Sequence, residues 1–197
     1  MTARHVTAIS STAVVAAVAA AVATSGWAET ADTANTARER PRGAVEDCST
    51  TPGWGRRDEF TTPQNLIVGP LAIERGAVMW EYGERERPGG EKLFVYVKGG
   101  HRVTLELSPQ TRKNVGLGFV PPPQGIEWNL HNTRRVVRFI ACQRGELSDP
   151  RFDGWPVTTW VGGLLVSSPR CVPLLVWVDD EPSPRRAVIR FGVRDCG

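Results

Sequence analysis

Lys92 to Ser108 reads KLFVYVKGGHRVTLELS, and its alternation decides the class of fold. In Arg102 to Ser108, Val103, Leu105 and Leu107 fall on one side of an extended chain, and Arg102, Thr104 and Glu106 on the other. Side chains alternate across a strand with a period of two, so the first set faces a core and the second faces water. Lys92 to Lys98 is a second strand, and Gly99-Gly100 predicts a tight hairpin joining the two.

The same reading extends outward. Downstream, Val115 to Val120 is a short strand stopped by Pro121-Pro122-Pro123, and another around Ile126 to Leu130 leads to a turn at Asn132. Arg134 to Cys142 puts Val137, Phe139 and Ala141 on one face with Arg138 opposite. Thr158 to Ser167 carries Gly162-Gly163, a candidate bulge. Cys171 to Val178 is apolar on both faces, as in a central strand, with Pro173 arguing for a bulge near its start. Arg185 to Arg194 alternates again, with Ala187, Ile189, Phe191 and Val193 inward. Upstream, Leu66 to Ile73 is split by Gly69-Pro70, and Val78 to Tyr82 precedes a charged, Gly-rich loop, Gly83 to Glu91. About nine or ten strands in roughly 150 residues predict an all-β, antiparallel two-sheet sandwich, immunoglobulin-like or jelly-roll-like.

The N-terminus has a different character. Val6 to Ala28 holds no charge, Ala13 to Ala23 is continuously apolar, and Arg4 precedes both. Gly26-Trp27-Ala28 sets small residues at −3 and −1 of a cut after Ala28, the pattern of a signal peptide over residues 1–28. The alternative is an uncleaved anchor over residues 6–28. Against it, the run is mostly Ala, which contributes little to insertion beside Leu, Ile, Phe or Val. Either way the rest of the chain lies outside the cytoplasm, secreted or in the cell envelope, or anchored as a single pass with the domain outside. Residues 29–47 are polar and interrupted by Pro41, and read as a disordered linker to a folded domain over residues 48–197.

Four cysteines in an exported chain read as two disulfides, structural rather than metal-binding or redox-active, since no C-x-x-C is present. Cys142 ends one strand and Cys171 begins another, and Cys48 and Cys196 bracket the domain. The expected pairs are therefore Cys142–Cys171 and Cys48–Cys196.

In 197 residues, 41% hydrophobic and 23% charged, the net charge is only +3. Basic residues are interspersed with acids, which excludes a nucleic-acid footprint. A membrane partner follows only if residues 6–28 remain uncleaved. The domain is large enough to fold without a cofactor, and none is expected. His101 and His131 both lie in predicted turns, outside H-E-x-x-H, and no serine stands in G-x-S-x-G. They remain the only histidines around which a small extracellular hydrolase could form. Asp179-Asp180 offers acidic turn chemistry with calcium as the alternative, and Glu84, Glu86 and Glu91 share one loop. Trp80, Trp160 and Trp177 fall within strands and read as core, whereas Trp54, Trp128 and Trp155 fall in Gly/Pro-bearing loops, where exposed aromatics meet ligands. Trp155, with Arg151 and Asp153 beside it, is the leading candidate interaction surface, followed by Trp54 and Trp128.

VVRFIAC (Val136 to Cys142), TTWVGGLLV (Thr158 to Val166), PRCVPL (Pro169 to Leu174) and the closing RRAVIRFGVRDCG are similar to a group of uncharacterised exported proteins of actinomycete-type bacteria. The resemblance spans roughly Cys48 to Gly197 and rests on cysteine, Gly-Gly and strand positions. It implies export and a β-rich domain and carries no activity. The expectation is an exported, non-catalytic envelope or extracellular module that binds a protein, glycan or small ligand through its loops.

Overall fold

The computed structural model describes residues 39–50, 53–55, 57–80, 90–119, 127–143 and 157–197, all within the compact unit Thr36–Gly197. Among them are eleven strands and one helical turn. In chain order these are β1 (Ala44–Glu46), β2 (Gly53–Gly55), α1 (Arg57–Phe60), β3 (Leu66–Val68), β4 (Leu71–Ile73), β5 (Gly90–Lys98), β6 (Arg102–Leu107), β7 (Val115–Leu117), β8 (Val136–Ile140), β9 (Val157–Val166), β10 (Arg170–Val178) and β11 (Arg185–Phe191). One sheet has the order β1-β8-β6-β10-β11 and the other β2-β9-β5-β4-β3, with β7 also on β9. Among the described strands only β1 and β8 pair in parallel. The all-β two-sheet sandwich of the sequence is the fold observed.

Alternation places the core. Val103, Leu105 and Leu107 of β6, Val137 and Phe139 of β8, and Val172, Leu174 and Val176 of β10 are all buried against Leu93, Val95 and Val97 of β5 and Trp160 and Leu164 of β9. Phe139 joins the sheets, its ring 5.0 Å from Phe119 and 5.2 Å from Trp160. Each such side chain contributes about 1.5–3 kcal/mol on burial.

Antiparallel pairing gives the sandwich two ends. One gathers the Gly69-Pro70 turn, the Gly99-Gly100 connection and the β10–β11 turn. The other gathers residues 108–114, 127–135 and 167–169.

Several local expectations give way to tertiary arrangement. Gly99-Gly100 does not close a hairpin: β5 belongs to one sheet and β6 to the other, so the glycines carry the chain across the sandwich, Gly100 at φ 79°. Gly162-Gly163 is not a bulge, because β9 keeps continuous register with β5. The glycine is needed for space, since a Cβ at Gly162 would overlap the Phe119 ring. Pro173 also sits in unbroken register, opposite Val188. Residues 127–130 form no strand. Of Val78 to Tyr82, the described portion contributes a single bridge, Trp80 to Phe191.

Both expected cysteine pairs are incorrect: the disulfides are Cys48–Cys142 and Cys171–Cys196. β8 and β10 each run antiparallel to β6, which lies between them, so they are parallel to one another. Cys142 therefore follows β8 at one end of the sheet while Cys171 opens β10 at the other. Cys142 meets Cys48, which follows the parallel strand β1, and Cys171 meets the C-terminal residues returning after β11.

The linker boundary also moves. Residues 44–46, assigned to a disordered spacer, form β1, and Gly43 packs so closely on β8 that a Cβ there would lie 2.7 Å from the Val136 carbonyl. Arg40 Nη2 donates to the Glu181 carbonyl at 3.3 Å, beyond β10. Between these contacts the chain crosses the outer face of the first sheet as a strap. Thr104 and Glu106, expected to face water, are 2% and 0% exposed on that face. Among the described residues no helix is long and apolar enough to cross a membrane; residues 1–38, including the proposed cleavage after Ala28, lie outside them.

Candidate functional site

At the Gly99-Gly100 end, turn chemistry and charge pairing coincide. Asp179 takes a left-handed conformation, φ 40°, that caps the β10–β11 turn. Its carboxylate accepts the Arg102 backbone N–H at 2.8 Å and lies 2.8 Å from His101 Nδ1. Partial burial pushes the Asp179 carboxyl up, but these partners outweigh it and hold it below the ordinary range. Arg102 Nη2 donates to both Asp180 oxygens at 3.0 and 3.1 Å, Arg185 makes a forked pair with Glu181, and Arg40 reaches Asp180 at 4.0 Å. The Arg185 fork holds the Glu181 carboxyl below its usual range and raises the guanidinium. His101 and Asp179 are the two members of a would-be catalytic set, but both are substantially exposed, and among the described residues no hydroxyl hydrogen-bonds the imidazole. The pair braces a turn. His131 is exposed, and its backbone N–H donates to Asn129 Oδ1. Among the described residues no three His, Cys, Asp or Glu side chains gather to hold a metal, and Asp179 and Asp180 are occupied by arginine and histidine.

The opposite end is built differently. Residues 127–133 form a loop locked by reciprocal asparagine caps. Asn129 Oδ1 accepts the N–H groups of His131 and Asn132, while Asn132 Oδ1 accepts that of Asn129 at 2.7 Å. Asn132 Nδ2 donates to the Glu127 carbonyl. Trp128 lies half-buried in this loop with its indole against Gly118, where a Cβ would come within 2.9 Å of the ring. Arg134 pairs with Leu117 through two backbone hydrogen bonds and points its side chain to solvent. The Arg135 guanidinium turns back to the carbonyls of Leu130 and Val115.

Beside it, residues 108–114 are held by Thr111 and Asn114 turn bonds and carry Arg112 and exposed Lys113. Arg112 pairs with Glu106, whose side chain is fully buried while the arginine is 39% exposed. The Trp177 indole N–H donates to the other Glu106 oxygen at 3.1 Å. Trp177 is thus buried as expected, yet on the outer face of its sheet beneath the strap. Burial lowers the Arg135 pKa, and the neighbouring Arg112 lowers it further. Lys113, Arg134, Arg135 and Arg138 have no carboxylate partner among the described residues.

Of the expected surface residues, Arg151, Asp153 and Trp155 lie outside the described residues, as do Glu84 and Glu86. Trp54 is placed in β2 opposite Thr158. Trp128 instead sits beside Gly118, which hydrogen-bonds Gly163 further along β9. The two attachment points on β9 are about 17 Å apart along the strand. The cationic end was missed from the sequence. Its signal was two dibasic pairs, Arg112-Lys113 and Arg134-Arg135, in segments that only the fold sets side by side.

The two disulfides, with no free cysteine remaining, are the mark of an oxidising compartment outside the cytoplasm. No protein-family model, no curated protein and no solved structure matches this chain.

Proposed function

We propose that this protein is an exported, non-catalytic module of the cell envelope or extracellular space that binds its partner through loops at one end of the sandwich. The observation that carries this reading is the pair of disulfides, one fastening each end of the domain. A rigid sandwich with loops held by caps and covalent staples suits binding, because ordering costs are met before the partner arrives. Export through residues 1–28 and kinship with exported proteins of actinomycete-type bacteria belong to the same reading. N-terminal mass analysis of the protein from culture medium and from membranes tests it. The expected result is a mature chain beginning at Glu29 in the medium, with no titratable thiol before reduction. A Met1 or Thr2 terminus in membranes replaces secretion with anchoring, and a reduced cytoplasmic chain overturns the proposal.

A further inference from the structure

The two disulfides stand in different surroundings. Cys142 is 0% exposed just beyond β8, and its backbone N–H donates to the buried Thr158 hydroxyl. Its partner Cys48 follows β1, so this bond fastens the strap to the sheet. Cys171, in contrast, is half-buried at the start of β10, and Cys196 is exposed, one residue before the C-terminal Gly197. Cys171 Sγ lies 3.5 Å from the Asp195 carbonyl. The residues that this second bond fastens contribute nothing to the core. Gly192 donates to the Trp80 carbonyl, Val193 is only partly buried, and Arg194 to Gly197 are all exposed.

Exchange at a disulfide needs a thiolate to reach one sulfur while the other leaves as a thiolate. Exposure makes Cys196 Sγ the atom attacked and Cys171 Sγ the leaving group. Nearby positive charge favours a departing thiolate. Arg190 stands directly opposite Cys171 in the β10–β11 register, on the same face of the sheet. Its guanidinium donates to the Arg194 carbonyl at 3.1 Å and the Ala77 carbonyl at 2.9 Å, so it is held at this corner by neutral partners. Arg170 and Arg194 flank the two cysteines in sequence, and Asp195 is the one acid in residues 168–175 and 188–197. We propose that Cys171–Cys196 is an exchangeable disulfide, opened by an external dithiol while Cys48–Cys142 stays closed. A thiolate of the dithiol attacks Cys196 Sγ, forming a mixed disulfide as the protein Sγ–Sγ bond breaks. Cys171 Sγ leaves with the electron pair and takes up a proton. The second thiolate of the reductant then displaces Cys196, leaving the reductant oxidised to its own disulfide and the domain with two thiols. Opening releases residues 193–197 and leaves every core side chain in place.

The test is timed reduction of the oxidised full-length chain without denaturant, by dithiothreitol in one arm and by reduced thioredoxin in the other. Samples are quenched by alkylation, and the labelled cysteines are mapped by mass spectrometry. Label on Cys171 and Cys196 is expected to appear roughly tenfold or more faster than label on Cys48 and Cys142. The half-reduced protein should still melt cooperatively. Opening by thioredoxin assigns a protein dithiol as the reductant, and opening by dithiothreitol alone assigns a small one. Thioredoxin with its resolving cysteine replaced by serine should be trapped on Cys196, and trapping on Cys171 overturns the assignment of the attacked sulfur. No opening in either arm, loss of both bonds together, earlier loss of Cys48–Cys142, or unfolding as Cys171–Cys196 opens overturns the proposal. These outcomes are read on the purified chain, so the compartment is decided separately by the N-terminal mass analysis.

Discussion

The β10–β11 end and the end carrying residues 108–114 and 127–135 share one scaffold and differ in how they spend their charge. At the first, Asp179, Asp180 and Glu181 take up the cations from three separate segments and lock the strap, the crossover and the turn together. At the second, Asn129 and Asn132 fix the loop shape, leaving Lys113, Arg134 and Arg135 without carboxylates among the described residues. Where neutral side chains do the structural work, Lys113 and Arg134 are left exposed to solvent. Where charged ones do it, the cations are paired.

The largest losses of stability are expected at the covalent staples. Cys48–Cys142 fastens the paired end over a separation of 94 residues, and Cys171–Cys196 fastens the other over 25. Chain-entropy arguments give about 4.5 kcal/mol for the first and about 3.5 kcal/mol for the second. Guanidinium unfolding of the paired alanine variants should preserve that order. A larger loss from Cys171→Ala with Cys196→Ala would mean that the C-terminal residues, not the strap, hold the domain.

Glu106→Ala attacks the cationic end next. It strips Arg112 of its acid and leaves the Trp177 N–H without an acceptor, at a cost of about 3 kcal/mol by chemical denaturation, the arginine's partial exposure moderating the usual buried-pair penalty. A loss below about 0.5 kcal/mol would mean the buried pair is not holding the outer face.

Asp179→Asn sharpens the paired end and has a definite pH signature. Because the folded-state carboxyl is held below its ordinary value, its contribution is fully present above the unfolded pKa and disappears as pH falls through the folded one. The variant should lose about 1 kcal/mol at neutral pH, and the two proteins should converge in strongly acidic buffer. A gap that persists there would locate the stabilisation in packing instead. Glu46 works with the opposite sign. Burial raises its carboxyl, so the ionised form is disfavoured in the folded state, and Glu46→Gln should gain stability relative to the parent as pH rises through that raised value. The reading is a pair of thermal melts, and a gain confined to acid would refute it.

The smallest effect belongs to Lys113→Glu. Placing an acid beside cations that have no carboxylate partner among the described residues should stabilise the domain by a few tenths of a kcal/mol in dilute buffer, and the gain should vanish in roughly molar salt. A salt-independent change would show that the cations there do not feel one another.

Fold class was legible because it rests on a period-two pattern that each strand carries for itself. Arg102 to Leu107, Val136 to Ile140 and Arg185 to Phe191 all place their apolar alternates in the core. The candidate site was legible only at Trp128. Its companions, Arg112-Lys113 and Arg134-Arg135, are ordinary dibasic pairs until residues 108–114 and 127–135 meet, which Leu107 N–H and the Arg135 carbonyl bring about.

Local alternation was enough to show that the strands would form two sheets, and the composition that four cysteines would be used as two disulfides. Tertiary structure alone decided which strands became neighbours. That choice paired Cys48 with Cys142, carried Gly99-Gly100 between sheets, and drew residues 39–46 across a face where Glu106 had been expected to meet water. The physical reason is the range of the interactions. Alternation is a property of adjacent residues, whereas strand order is set by burying all the apolar faces together, and no single segment contains that information.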